Sequence, residues 1–169
     1  MFKRLISSIA ARIALARTPK AAETFAIGGA AIPTPGGWNV VNQRGNRIVF
    51  QSEDQRQQAT LSVSYFGNPP SFDDFKALST RRLQAEKKAA PDAFLEPDPP
   101  VPFEKDGRFG LLYTGGQKSS GRVFSCSFGF EKDELVTVYV EGIGIDPKVH
   151  LASFETFVAA VRSTGRSSP

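Results

Sequence analysis

Few side chains in this chain of 169 residues are equipped for chemistry, and their scarcity limits what it can do. There is one histidine, His150, and one cysteine, Cys126. A single imidazole excludes a histidine-rich metal site within one chain. Asp146 and His150 stand four apart at a helix start, a spacing that can share a face. Asp146 directly precedes Pro147, however, and that order marks it as a helix cap rather than a ligand. Cys126 alternates with Phe124, Phe128 and Phe130 along a strand-like run, so it reads as a small buried hydrophobe with nothing nearby in sequence to activate its thiol.

Nucleophilic catalysis is represented only by His150 acting as a base. Triads assemble across a fold, so the sequence leaves that reading open, but no Gly-x-Ser-x-Gly elbow is present. The carboxylate pairs Glu53-Asp54 and Asp73-Asp74 are adjacent in sequence and suit caps and solvation before acid-base work. The loop 115–121 has glycines and a lysine without the spacing of a phosphate loop. The expectation is therefore no catalytic, cofactor-binding or metal-binding residue and no enzymatic activity, with a small hydrolase using His150 as the alternative.

Charge narrows the partners. The chain carries 21 basic and 17 acidic residues, a net charge of +4. Lys3, Arg4, Arg12, Arg17 and Lys20 account for five of the basic residues, and residues 1–20 contain no acid; without them 16 basic face 17 acidic residues. The rest is near neutral and lacks the basic surface that replaces counterions on a nucleic acid, so no nucleic-acid partner is expected. With one cysteine, an intramolecular disulfide is excluded.

The elements that would position these residues follow from periodicity. Residues 2–17 form an amphipathic helical pattern whose stripe contains Phe2, Leu5, Ile6, Ile9 and Ile13. It reads as a helix packed on its own domain, a helix lying on an anionic membrane or a partner, or an export signal over 1–16 with Ala14-Leu15-Ala16 as the cleavage tripeptide. Cytoplasmic or membrane-peripheral location is favoured, because Arg12 interrupts the apolar core that export needs. The segmentation is 1–20 as helix or targeting segment, 21–24 as linker, 25–162 as one globular domain and 163–169 as tail.

From Phe25 the chain punctuates itself into strands. The first is 25–32, followed by 38–41, 47–51 and 58–66, with Ala59, Leu61, Val63 and Tyr65 on one face. Ser71 caps a helix whose buried side is Phe72, Phe75, Leu78 and Leu83, and Arg81, Arg82, Lys87 and Lys88 form its solvated side. Pro97, Pro99, Pro100 and Pro102 make a rigid strap. Strands 101–105 and 108–114 lead through a flexible tip at 115–121 to a hairpin over 122–141. A last helix from Asp146 buries Leu151, Phe154, Phe157, Val158 and Val161.

The hairpin has two registers. A three-residue loop at 131–133 pairs Phe128 with Val136 and leaves Ser125, Ser127, Thr137 and Tyr139 together on a polar face, the candidate partner surface. A two-residue turn at Lys132-Asp133 pairs Phe128 with Thr137 and leaves small Ser127 and Gly129 opposite Val138 and Val136, an apolar trough. Taken alone, the segment favours the first.

Ile32-Pro33 leading to Gly37-Trp38, the 59–65 strand feeding the Ser71 helix, and the late hairpin followed by the Asp146 helix resemble the PsbP-like superfamily over about residues 25–162. The resemblance implies an α+β fold, an antiparallel sheet of about six to eight strands packed with two main helices, to which this chain adds the N-terminal helix. Helices on both sides make the two-residue turn more credible. The family also implies binding without catalysis, as in extrinsic photosystem subunits, a nuclear-import GTPase-binding factor, bacterial envelope lipoproteins and type VI secretion effector chaperones. The chain departs from the lipoproteins in having no cysteine near its start, and from the chaperones in its extra helix. The resulting expectation is a bacterial adaptor domain with a protein partner, in specific form a secretion-associated chaperone or immunity protein, with a membrane-peripheral envelope protein as an alternative.

Overall fold

The computed structural model describes residues 24–27, 30–89, 92–105 and 107–163. The described chain runs β1 (Thr24–Ile27), β2 (Ala30–Pro33), β3 (Trp38–Arg44), β4 (Arg47–Ser52), β5 (Gln57–Tyr65), α1 (Phe72–Ala89), β6 (Ala93–Glu96), β7 (Phe103–Lys105), β8 (Arg108–Gln117), β9 (Arg122–Glu131), β10 (Glu134–Ile143) and α2 (Pro147–Ser163). Eight strands form one sheet in the order β3-β4-β5-β10-β9-β8-β6, with β7 also on β8, and every pairing is antiparallel. β1 and β2 make a separate hairpin.

The register of β9 on β10 organises the molecule. Phe128 lies opposite Thr137 and Gly129 opposite Val136, so the turn has two residues, Lys132 and Asp133. This corrects the three-residue loop, and it is Lys132, with φ of 57°, that takes the left-handed conformation rather than Asp133. The physical reason is that both faces of the sheet are covered. The register that gathers every large side chain on one face would leave the other with nothing to bury.

One side, the valine face, carries Val138 and Val140 of β10, Ala59, Leu61 and Val63 of β5, and Ile48 and Phe50 of β4. It is covered by Phe154 and Phe157 of α2 and by Ile27 and Ile32 of the first hairpin. Trp38 meets Phe157 edge to face at 4.9 Å, and Phe50 meets the same ring at 5.0 Å. The other side, the phenylalanine face, holds Phe124, Cys126, Phe128 and Phe130 of β9 with Leu111 and Tyr113 of β8, under Phe75 and Leu83 of α1 and beside Leu95 of β6. Burying each of these large side chains is worth roughly 1.5–3 kcal/mol.

Both helices start as their caps dictate. Ser71 Oγ accepts from the Asp74 N–H at 3.2 Å, and Asp146 Oδ1 accepts from the Lys148 N–H at 2.8 Å. Their buried stripes differ from expectation at one position each. Leu78 is exposed and Ser79 is buried in its place, because 75, 79 and 83 follow one another at four-residue steps. Leu151 is largely exposed, and His150 takes the buried position.

Three strand expectations are also corrected. The single strand over 25–32 is two strands, folded back so that Ile27 faces Ala30. The segment before the prolines contains β6, and cis bonds at Glu96-Pro97 and Asp98-Pro99 carry the strap that follows. β8 continues to Gln117 through Gly115 and Gly116, where a Cβ would collide with Phe124, Leu95 and Phe94. Glycine there permits close packing of the strand and is not a sign of a flexible tip. Expectations for 1–23 and for the tail from 164 lie outside the described residues.

Candidate functional site

A groove lies on the valine face, where α2 and the first hairpin stop short of covering the sheet. Its volume is about 760 Å³. Its floor is formed by Leu61, Val63, Val136, Val138, Ser127 and Gly129. Ile27, Ile32, Val158 and Val161 line it from the covering layer, and Phe103, Lys105 and Arg108 come from the β7–β8 side.

The groove exists because β8 and β9 present almost no side chain here. Gly110 and Gly129 are paired across the two strands, and a Cβ on Gly129 would stand 2.7 Å from the Phe109 carbonyl oxygen and 3.0 Å from the Gly110 Cα. Glycine is required for the strands to approach, so the floor is bare backbone. Phe103, paired with Gly110, leans its ring over that glycine. Phe103 and Leu112 remain 48% and 47% exposed on this face, which shows how much of this half of the sheet is uncovered. At the hairpin-turn end the rim is charged but mixed: Arg108 pairs with Glu131 at 2.7 Å, and Lys105 lies beside Arg108 in register.

His150 is placed differently. From the first turn of α2 it reaches the sheet and is 1% exposed. Its Nε2 lies 2.9 Å from Ser125 Oγ, which lies 2.9 Å from Thr114 Oγ1. Its Nδ1 has no hydrogen-bond partner, and burial lowers its pKa. A nucleophilic triad needs a carboxylate on the far imidazole nitrogen and access for a substrate. This histidine has neither, so the Thr114–Ser125–His150 chain fastens α2 to β9 and β8. Asp146 is occupied as the cap and stays exposed. Among the described residues no group of three or more His, Cys, Asp or Glu side chains is placed to hold a metal ion. Burial pushes the Cys126 thiol up to about 12.

The four residues proposed as a partner surface do not share a face. Ser125 and Ser127 are opposite Val140 and Val138 on the valine face, whereas Thr137 and Tyr139 are opposite Phe128 and Cys126 on the phenylalanine face. The observed register differs by one residue from the one that would have joined them, and a one-residue slip moves a residue to the opposite face. Ser125 is fully buried, while Ser127 and Thr137 both border the groove. The Tyr139 hydroxyl accepts from Arg122 at 2.6 Å and donates to Glu141 at 3.2 Å. Phe2, Leu5, Ile6, Ile9 and Ile13 lie outside the described residues. Sequence reasoning passed over Gly129 as a floor residue, although glycine inside a strand is itself a signal of close backbone approach.

The sheet, with one helix on each face, makes an α+β fold. The solution structure of cyanobacterial PsbP (CyanoP) from Synechocystis sp. PCC 6803 matches it with a TM-score of 0.57 at 16% identity, covering 85% of this chain and 93% of that one. The crystal structure of PA94 from Pseudomonas aeruginosa, a protein of unknown function described as a putative regulator, aligns with a TM-score of 0.44 at 15% identity, covering 88% of this chain and 96% of that one. No protein-family model matches the chain, and no curated protein matches it either. At these identities the likeness to CyanoP concerns the fold alone.

Proposed function

We propose that this chain is a non-enzymatic protein-binding or adaptor domain of bacterial origin, and that its contact surface is the groove on the valine face. The observation that carries the reading is the floor at Ser127 and Gly129 beside a helix and hairpin that leave it open. Open apolar surface of this kind, rimmed by charge, is typical of sites that receive a polypeptide partner. The buried, carboxylate-free setting of His150 weighs against the hydrolase alternative. A secretion-associated chaperone or immunity protein is the specific form of this role; a membrane-peripheral envelope protein is the other reading.

Capture from native lysate with the full chain and with a Ser127→Trp variant tests the proposal. A partner that is identified, reconstituted from purified components and lost in the variant at unchanged folding supports it. Partners equally retained by both remove the groove as the contact surface, and no reproducible partner for either removes the binding role. Co-purification with the product of an adjacent gene tests the chaperone or immunity form; liposome flotation unaffected by deleting 2–17 counts against the membrane form.

A further inference from the structure

The groove has an uncovered apolar floor, and the same chain carries an apolar stripe outside the described residues. The stripe is Phe2, Leu5, Ile6, Ile9 and Ile13, within a segment of 16 residues that would measure about 24 Å as a helix. The groove follows β9 from Ser127 to Glu131, about 17 Å, and crosses the sheet from β5 over β10, β9 and β8 to β7, about 19 Å, room for most of such a helix.

The tether places the two together. The described chain begins at Thr24 in β1, and this hairpin forms a wall of the groove through Ile27 and Ile32. Only residues 18–23 separate the stripe from β1, a span of at most about 20 Å when extended. Short tethers of this kind hold a segment at an effective concentration in the millimolar range, so a modest apolar contact suffices for occupancy. The other chain end also leaves from the groove wall, after Val161, but residues 164–169 are Thr-Gly-Arg-Ser-Ser-Pro and have nothing apolar to bury. The rim charge is mixed, with Lys105 and Arg108 beside Glu131, so apolar area and tethering select the occupant.

We infer that the groove is occupied by the chain's own N-terminal segment, the stripe of residues 2–17 lying on the Ser127–Gly129 floor when no partner is bound. The segment is then an internal competitor. An incoming polypeptide binds only to the fraction of molecules in which the groove has been vacated, which lowers its apparent affinity by that fraction. The inference concerns the isolated chain and holds independently of which partner is found.

The experiment uses the purified full-length chain with a photoreactive benzoylphenylalanine at position 9. Cross-links within one molecule to the peptide containing Ser127 or Val136, at a yield unchanged by dilution, support the inference. Cross-links that vanish on dilution, or that fall only on α1 and the phenylalanine face, overturn it. So does the absence of any intramolecular cross-link, and in that case binding of the segment to anionic phosphatidylglycerol vesicles would assign it to a membrane surface. A second measurement needs no cross-linker. An Ile9→Asp variant of the full chain, with native circular dichroism, should bind 1-anilinonaphthalene-8-sulfonate several-fold more strongly than the parent chain because the groove is uncovered. Equal binding by both chains overturns the inference.

Discussion

The two faces of this sheet are built from the same strands, yet one is filled and the other is left partly open. On the phenylalanine face, Phe124, Phe128 and Phe130 of β9 stand with Cys126 between them, and Phe75 of α1 packs against Phe109, Phe128 and Phe130 at 5.1, 5.5 and 6.1 Å. Arg82 spans the Phe128 ring at 5.2 Å, and the Tyr113 hydroxyl donates to Glu86 of α1 at 3.3 Å. On the valine face, α2 and the first hairpin cover β4 and part of β5 and β10, while Ser127 and Gly129 leave a shallow floor beside them. The difference shows that helix cover alone does not close a sheet face. The side chains pointing up from the strands decide whether covering elements meet a filled core or a trough.

The contrast is testable, beginning with its largest expected effect. Phe157→Ala empties the filled part of the valine face, where the ring is fully buried between Trp38 and Phe50; a loss of about 3–5 kcal/mol is expected in urea unfolding. A loss below 1 kcal/mol would mean that α2 packs far more loosely than described. Gly129→Val puts a side chain where 2.7 Å separates the Cβ position from a carbonyl oxygen, and should cost about 1–3 kcal/mol by forcing β8 and β9 apart. In thermal melts each kcal/mol corresponds to about 2–4 °C for a chain of this size.

His150 sharpens the comparison through pH. It is the only histidine, and burial holds its folded pKa below the value of 6.5 it has when free. The unfolded chain therefore takes up the proton first, and stability falls as pH drops through that value and then through the lower folded pKa. At higher pH the contribution is fully present. His150→Gln should flatten the dependence just below pH 6.5; an unchanged slope would place its origin elsewhere. The smallest effect is expected in the groove itself. Ser127→Leu projects into the groove and not into the packed core, so stability should change by no more than about 0.5 kcal/mol while partner capture is lost. A large destabilisation would show that Ser127 packs within the core of the valine face.

Much of the fold was legible from the residues. Caps at Ser71 and Asp146, alternation in 57–65, and the β-branched and aromatic runs of the late hairpin specify strands and helices through local sterics and hydrogen bonding. The candidate site was less legible. The four polar residues offered as a surface came from the wrong register, and the two-residue turn had been derived correctly as the alternative that creates a trough. β6 was hidden among prolines, and the run through Gly115 and Gly116 looked like a loop, because glycine signals either freedom or close contact and only neighbours separate the two.

Local pattern by itself determined both described helices and most of the strands, that the chain after residue 20 is near neutral, and that His150 and Cys126 are its only histidine and thiol. Only the tertiary structure decided the hairpin register, the fate of His150 as a buried link between α2 and Ser125, and the open floor at Ser127 and Gly129. The physical reason is that alternation fixes two faces for each strand but not which face meets which cover. That choice depends on how much apolar area distant segments bring to each side of the sheet.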